Sequence, residues 1–156
     1  MLKSWMVIGG VALVVAFIGG ALTPKNRWFN SLRRPRWLTF EAAIPFIWTF
    51  ILICGVWSAY NVWEADPGSD RSWFLMGFYL VVELAILAYT FVMFRTRSLK
   101  VGVAIGIVGS ILGVILAFLV LPISGWGFVL LLPYLIWNPI GTYVTWAMIP
   151  LNPEDA

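Results

Sequence analysis

No charged side chain occurs between Lys100 and Glu154, and this constrains the fold more than any other feature of the chain. A bilayer accepts such a stretch, since a helix needs about 20 predominantly apolar residues to cross its hydrocarbon core. This stretch is too long for one crossing, and the Pro122-Ile123-Ser124-Gly125 segment supplies the turn that divides it. Helices over 101–121 and 126–150 follow. Three further apolar runs lie upstream at 5–22, 43–63 and 73–94, the last interrupted only by Glu83. The chain therefore reads as an all-α integral membrane protein, a single domain over 1–156 built as a five-transmembrane-helix bundle. The composition agrees, with 62% hydrophobic and 11% charged residues, far from the soluble norm. The first run is longer than the apolar region of a cleaved signal needs and lacks a small-x-small cleavage site, so it is read as a retained helix. The lone Cys54 rules out an internal disulfide and argues against a metal cluster.

The one long loop, 23–42, mixes cations with aromatics: Lys25, Arg27, Arg33, Arg34 and Arg36 stand among Trp28, Pro35 and Trp37. Five crossings put this loop, the third loop and the C-terminus on one face. That face also carries Arg95, Arg97 and Lys100, whereas the other holds only Lys3 and Arg71. The positive-inside rule then places the long loop and the C-terminus in the cytoplasm and the N-terminus outside. Trp5, Trp63, Trp73 and Trp126 fall at span ends on the outer face, where indole rings favour the headgroup zone, and are given no ligand role.

Helical phase sorts the interior. Trp48, Leu52, Gly55 and Ala59 share one stripe of the second helix, while Trp57 points about half a turn away, toward lipid. Trp137, Gly141 and Thr145 align on the fifth helix, with Trp146 opposite. A tryptophan one turn from a glycine leaves a slot beside an aromatic wall, and two such slots facing each other would make a flat pocket under the loop. Ordinary aromatic packing explains the same phases equally well. Gly102, Gly106, Gly109 and Gly113 fall within roughly a 60° arc, a spacing that serves close packing inside the bundle or a homodimer seam. Pro133 and Pro139 lie inside the fifth span and are expected to kink it, beside a neighbour or cavity that satisfies the freed carbonyls. Glu83 is the one acid inside a span. Burying its charge costs at least roughly 2.5–3.5 kcal/mol, so it is expected to face the bundle interior as a protonated hydrogen-bond donor. Tyr60, Asn61, Tyr134 and Asn138 are its candidate partners, and a pin between helices and a ligand contact are equal readings of it.

The pattern Trp28-x-x-x-Leu32-x-x-Pro35-x-Trp37, followed by Pro45, Trp48-Thr49, Tyr60-x-x-Trp63 and Pro133-Tyr134-Leu135-x-Trp137, resembles the tryptophan-rich sensory protein family. Its mitochondrial member is the translocator protein, or peripheral benzodiazepine receptor. The resemblance covers essentially the whole chain. It implies a five-helix bundle, often dimeric, with a pocket closed by the first loop as a lid. The implied ligands are porphyrins such as protoporphyrin IX, haem and, in some members, sterols or benzodiazepine-type compounds. The implied ligand-binding residues are Trp28 and Trp37 in the lid, Trp48 on the second helix, and Tyr134, Trp137 and Gly141 on the fifth. Leu52 on the Trp48 stripe, Asn138 beside Trp137, and Glu83 and Leu87 on the third helix complete the candidate set. Several positions depart from the family pattern. Its third helix usually reads Gln-Leu-x-Leu-Asn, where this chain has Glu83-Leu84-Ala85-Ile86-Leu87. Leu38-Thr39 replaces a common double proline, and Thr145-Trp146 replaces Asn-Tyr. No Lys or Arg follows Tyr143, which argues against sterol transport.

Without histidine the chain lacks the commonest haem-iron ligand, so a metal-free porphyrin suits it better, and no cofactor is required. The macrocycle would stack on Trp48 and Trp137, and its propionates would meet one or two loop arginines. The remaining arginines orient the protein and touch anionic lipid. The sequence carries no nucleophile–base pair, metal-ligand cluster or phosphate-binding glycine loop. Three readings follow from the resemblance: a tetrapyrrole-binding receptor or sensor linked to tetrapyrrole regulation and stress response, a transporter of porphyrins or other lipophilic ligands, and a light-dependent porphyrin-degrading enzyme. A bacterial membrane, lipid contacts and a homodimer are expected; a nucleic-acid partner is not.

Overall fold

The structure, a computed structural model, describes residues 1–25 and 27–156; Asn26, inside the expected lid span, lies outside them. The described residues are all-helical. Five long helices, α1 (Ser4–Leu22), α3 (Ile44–Ala65), α4 (Asp70–Thr96), α5 (Leu99–Val120) and α6 (Gly125–Met148), are each long and apolar enough to cross a membrane. The first loop contains a one-turn helix, α2 (Arg27–Ser31). The span limits differ from expectation by a few residues, and at the starts of α4, α5 and α6 a serine cap sets where the helix begins. Ser69 accepts a hydrogen bond from the Ser72 N–H at 3.1 Å, which starts α4 at Asp70 rather than 73. Ser98 and Ser124 cap α5 and α6 in the same way. At its far end α4 stops on Arg97, whose φ of 50° is the left-handed turn that closes many helices.

The long helices form a closed ring. α1 packs on α3 and α4, α3 on α6, α6 on α5, and α5 on α4, with α3 and α4 also touching across the middle. The α5–α6 seam is the tightest part. Gly106, Gly109 and Gly113 are buried there, and Gly102 is buried farther along the same stripe against α4. A Cβ on Gly102 would strike the Met93 thioether, one on Gly106 the Thr142 side chain, and one on Gly113 the Tyr134 ring. The small-residue stripe is thus occupied within the chain, the first of its two readings.

Close approach brings α6 side chains onto α5 carbonyls. Tyr134 Oη donates to Gly109 O at 2.8 Å. Asn138 Nδ2 donates to Gly106 O at 3.0 Å and to Ser110 Oγ at 2.8 Å. Across the ring, Ser58 Oγ on α3 donates to Gly127 O at 2.6 Å, and the Tyr79 hydroxyl of α4 is hydrogen-bonded to Ser58 Oγ at 2.6 Å. Tyr89 of α4 bonds Thr145 of α6. In lipid, where apolar burial does not distinguish protein from acyl chain, such polar pins and small-residue contacts are what hold helices together. α6 runs unbroken through Pro133 and Pro139.

Gly106→Ala and Gly113→Ala are each expected to lower stability by roughly 1–3 kcal/mol, the cost of overfilling a packed seam. Gly20→Ala, where an added Cβ meets nothing within 4 Å, is expected to leave it unchanged. Thermal unfolding in detergent checks the contrast; equal midpoints for the three variants would mean the seam is not close-packed.

Candidate functional site

A cavity of about 1200 Å³ lies inside the ring, walled by α1, α3, α4 and α6 and roofed by the lid. Eight of the ten candidate residues line it: Trp48 and Leu52 from α3, Glu83 and Leu87 from α4, and Tyr134, Trp137, Asn138 and Gly141 from α6. The phase argument explains why they meet. Trp48, Leu52, Gly55 and Ala59 present one face of α3 to the cavity, and Trp137, Gly141 and Thr145 present one face of α6. The Trp48 ring lies 6.5 Å from that of Tyr134, tilted by 54°. Phe40 closes edge-on against Trp137 at 6.1 Å. Trp57 and Trp146, assigned to lipid, are more than half exposed.

Trp28 and Trp37 do not line this cavity. Trp28 turns toward the C-terminus, where its Nε1 donates to Asp155 Oδ1 at 2.6 Å and its ring meets Phe94 edge-on at 6.3 Å. It packs there in a second apolar cluster with Leu32, Met93, Leu99, Val144 and Met148. Trp37 lies on the outer side of the lid, half-exposed, and stacks on Tyr143 at 5.8 Å. The lid reaches the cavity through Phe29, Arg34, Leu38 and Glu41 instead. Adjacent residues on one turn of helix diverge by about 100°, so Trp28 and Phe29 cannot both point inward.

The polar inventory of the cavity is short. Arg34 is the loop arginine that lines it, and its guanidinium is already engaged. It bonds Glu41 Oε1 at 3.1 and 3.2 Å, donates to the carbonyls of Phe29 and Leu32, and lies 4.5 Å over the Phe29 ring. A ligand carboxylate at this mouth would meet Arg34 by competing with Glu41. Glu83 lacks the partners expected for it: Asn61 bonds within its own helix, while Tyr134 and Asn138 are drawn to α5. Among the described residues, Glu83 Oε1 and Trp137 Nε1 are the two buried side-chain polar atoms without a hydrogen-bond partner. A native fold leaves few such atoms, and each calls for a reason. Here both belong to cavity-lining residues set in apolar walls, an indole donor and a carboxyl group available to a guest.

The α1 wall and the far end of the cavity are not legible in helical phase. Val7, Val11, Ala12 and Ala16 line it from α1, a helix apolar on every side and therefore without a readable phase. Its small residues carried the signal. A Cβ on Gly9 would touch Val56 and one on Gly19 would strike Leu87, which marks the Gly9, Ala12, Ala16 and Gly19 side as the inner one. At the end away from the lid the cavity reaches Ser4, Trp63 and Trp73. The two tryptophans, expected only as interface anchors, meet edge-on there at 4.9 Å. Ser4 bonds Glu64 and ties the start of α1 to α3.

The lid is fastened by the C-terminus. Asn152 Oδ1 accepts the Arg33 N–H at 2.8 Å, and its Nδ2 donates to Arg33 O at 3.0 Å and to Met148 O at 2.9 Å. One buried amide thereby copies a strand-like pair of bonds to a single lid residue.

The sequence pattern of the TspO/MBR family matches residues 7–151. The chain is 23% identical over 159 residues to the Tryptophan-rich protein TspO of Bacillus cereus, covering 97% of this chain and 99% of that one. It is 25% identical over 154 residues to the uncharacterized membrane protein YtaB of Bacillus subtilis, covering 94% and 97%. It is 24% identical over 133 residues to the Tryptophan-rich sensory protein of Cereibacter sphaeroides, covering 85% and 82%.

Asn152→Ala is expected to release the lid. Loss of its bonds to Arg33, each worth about 0.5–1.5 kcal/mol net, should speed amide hydrogen exchange across 32–40 by roughly tenfold while leaving α5 and α6 protected. Unchanged exchange would show that the lid is held elsewhere.

Proposed function

The chain belongs to the TspO/MBR family of integral multi-pass membrane proteins, and from that premise we propose that it is a membrane receptor or sensor for flat tetrapyrroles such as protoporphyrin IX. The observation that carries this reading is one cavity lined by two indole walls, Trp48 and Trp137, and by two residues with unpartnered buried polar atoms, Trp137 and Glu83. Pockets for drug-sized ligands run to roughly 300–1,000 Å³, so a volume of about 1200 Å³ leaves room for a macrocycle. A planar guest gains from stacking on indole in proportion to its face. Its ring nitrogens or peripheral carboxyls offer partners for the Trp137 N–H and the Glu83 carboxyl. The sensory role in the name of the Cereibacter sphaeroides relative is carried to this chain on the same footing. The lid is assigned to the cytoplasmic side and the N-terminus to the outside, on the excess of Lys and Arg at the lid face.

A second reading, transport of such ligands, is favoured by the length of the cavity. Its lining runs from Arg34 and Glu41 beneath the lid to Ser4, Trp63 and Trp73 at the opposite end.

Titration with protoporphyrin IX, followed by tryptophan fluorescence, tests the site. Saturable quenching is expected. Trp48→Phe should weaken binding about 2- to 10-fold, the worth of an aromatic contact. Trp137→Phe should weaken it further, since it removes the N–H as well. Glu83→Gln, which keeps hydrogen-bonding capacity without charge, should bind better than Glu83→Leu. Affinity unmoved by either tryptophan substitution rejects the site. Accumulation of porphyrin inside proteoliposomes beyond stoichiometric binding would select transport over sensing. For the orientation, a cysteine at Lys25 in a Cys54→Ser background should be labelled only from the cytoplasmic side; labelling from outside would invert the topology.

A further inference from the structure

A second hollow, of about 710 Å³, lies on the outer side of the lid and is separate from the ligand cavity in all but Arg34. Arg33, Arg36 and Trp37 line it from the lid, and Ala147 and Leu151 from the end of α6. Arg34 turns its guanidinium inward to Glu41 and the lid carbonyls, which leaves the hollow to its neighbours. Both Arg33 and Arg36 are exposed, and among the described residues neither has an ion-pair partner. Among the described residues, no carboxylate lines the hollow. The backbone beneath is fixed, because Asn152 clamps both polar groups of Arg33 and buried Pro35 accepts the Leu38 N–H at 3.1 Å in a tight turn. Beside it runs a strip of three rings: Trp37 on Tyr143 at 5.8 Å and 27°, then Tyr143 on Trp146 at 5.7 Å and 31°. All three are about half exposed, and Tyr143 and Trp146 lie on the face of α6 turned away from the cavity.

We propose that this hollow binds the headgroup of an anionic phospholipid from the leaflet on the lid side. Two unpaired guanidiniums held a few residues apart match the oxygens of a phosphodiester. The ring strip and the apolar floor of Ala147 and Leu151 continue onto the lipid-facing surface of α6, where they receive the glycerol and upper acyl chains. A free phosphate ion would use the arginines and leave that surface uncovered. Since the cations belong to the lid and most of the strip to α6, a bound lipid spans the two and holds the lid down over the cavity. The proposal stands whether or not the cavity takes a tetrapyrrole.

The test uses the full chain and compares phosphatidylglycerol with phosphatidylcholine, reading retained lipids by native mass spectrometry and lid exchange in nanodiscs by hydrogen–deuterium exchange. Wild type is expected to hold phosphatidylglycerol about tenfold more tightly and to slow exchange over 32–40 in its presence. Arg33→Gln/Arg36→Gln should abolish both effects. Arg95→Gln/Lys100→Gln, which removes the same charge from the same face outside the hollow, should preserve them. Arg33→Lys/Arg36→Lys should keep part of the preference. Equal loss in the two glutamine pairs would reduce the effect to diffuse surface charge and overturn the site. So would a lysine pair as defective as the first glutamine pair. Millimolar inorganic phosphate should fail to displace the lipid; displacement would reassign the hollow to a free anion.

Discussion

The cavity depends on how α6 is held at its back. That helix carries two internal prolines and four buried polar side chains, Tyr134, Asn138, Thr142 and Thr145, which in lipid need partners on a neighbour or on their own backbone. The glycines of α5 supply both access and acceptors, so Tyr134 and Asn138 reach the carbonyls of Gly109 and Gly106. Thr142 bonds back to Asn138 O. Single interhelical hydrogen bonds in membranes contribute only about 0.6–2 kcal/mol, but together with interlocking of side chains against bare backbone they fix the rotation of α6. Once that rotation is set, Trp137, Gly141 and Thr145 must face the ring interior, and Tyr143 and Trp146 must face out. The same seam helps explain why Glu83 Oε1 is unpartnered among the described residues: two of the groups that might have met it, Tyr134 and Asn138, are already satisfied by α5.

Five spans and the inner faces of α3 and α6 were legible because they rest on local rules. Length and hydropathy mark a crossing, and a 3.6-residue period assigns a face. Trp48 and Trp137 could be placed together on those grounds, since Gly55 lies two turns from Trp48 and Gly141 one turn from Trp137, each on the same face. Trp28 and Trp37 could not. Their positions are decided by Asp155 and Tyr143, far along the chain, and an irregular loop has no period from which to read direction. Helix α1 failed for the opposite reason. Its period is intact, but with apolar residues on every side only the small ones, Gly9, Ala12, Ala16 and Gly19, distinguish the face that packs.

The tryptophans thus divide by physical task. Trp48 and Trp137 offer ring faces and one N–H to the cavity. Trp5, Trp57, Trp126 and Trp146 are more than half exposed on an apolar exterior. Trp73, also more than half exposed, meets Trp63 edge-on at the end of the cavity away from the lid. Trp28 works as a rivet, its indole N–H spent on a C-terminal carboxylate and its ring on a buried cluster. One residue type serves all of these because indole combines a large apolar face with a single directional donor.

The lid has two sides, and its arginines sort between them by partner. Arg34 is drawn inward because Glu41, at the foot of α3, lies within reach and two lid carbonyls complete its fork. That leaves Arg33 and Arg36 turned outward over the end of α6, where, among the described residues, their charges meet no carboxylate. A lid fastened by Asn152, Trp28 and Trp37 is therefore secured by contacts with the C-terminal segment and α6 rather than by the cavity it covers. Opening it need not disturb the α5–α6 seam, because those fastenings can part while the helices stay packed. Anything that strengthens them from outside, the proposed phospholipid included, would act on access to the cavity without touching a residue of its inner walls.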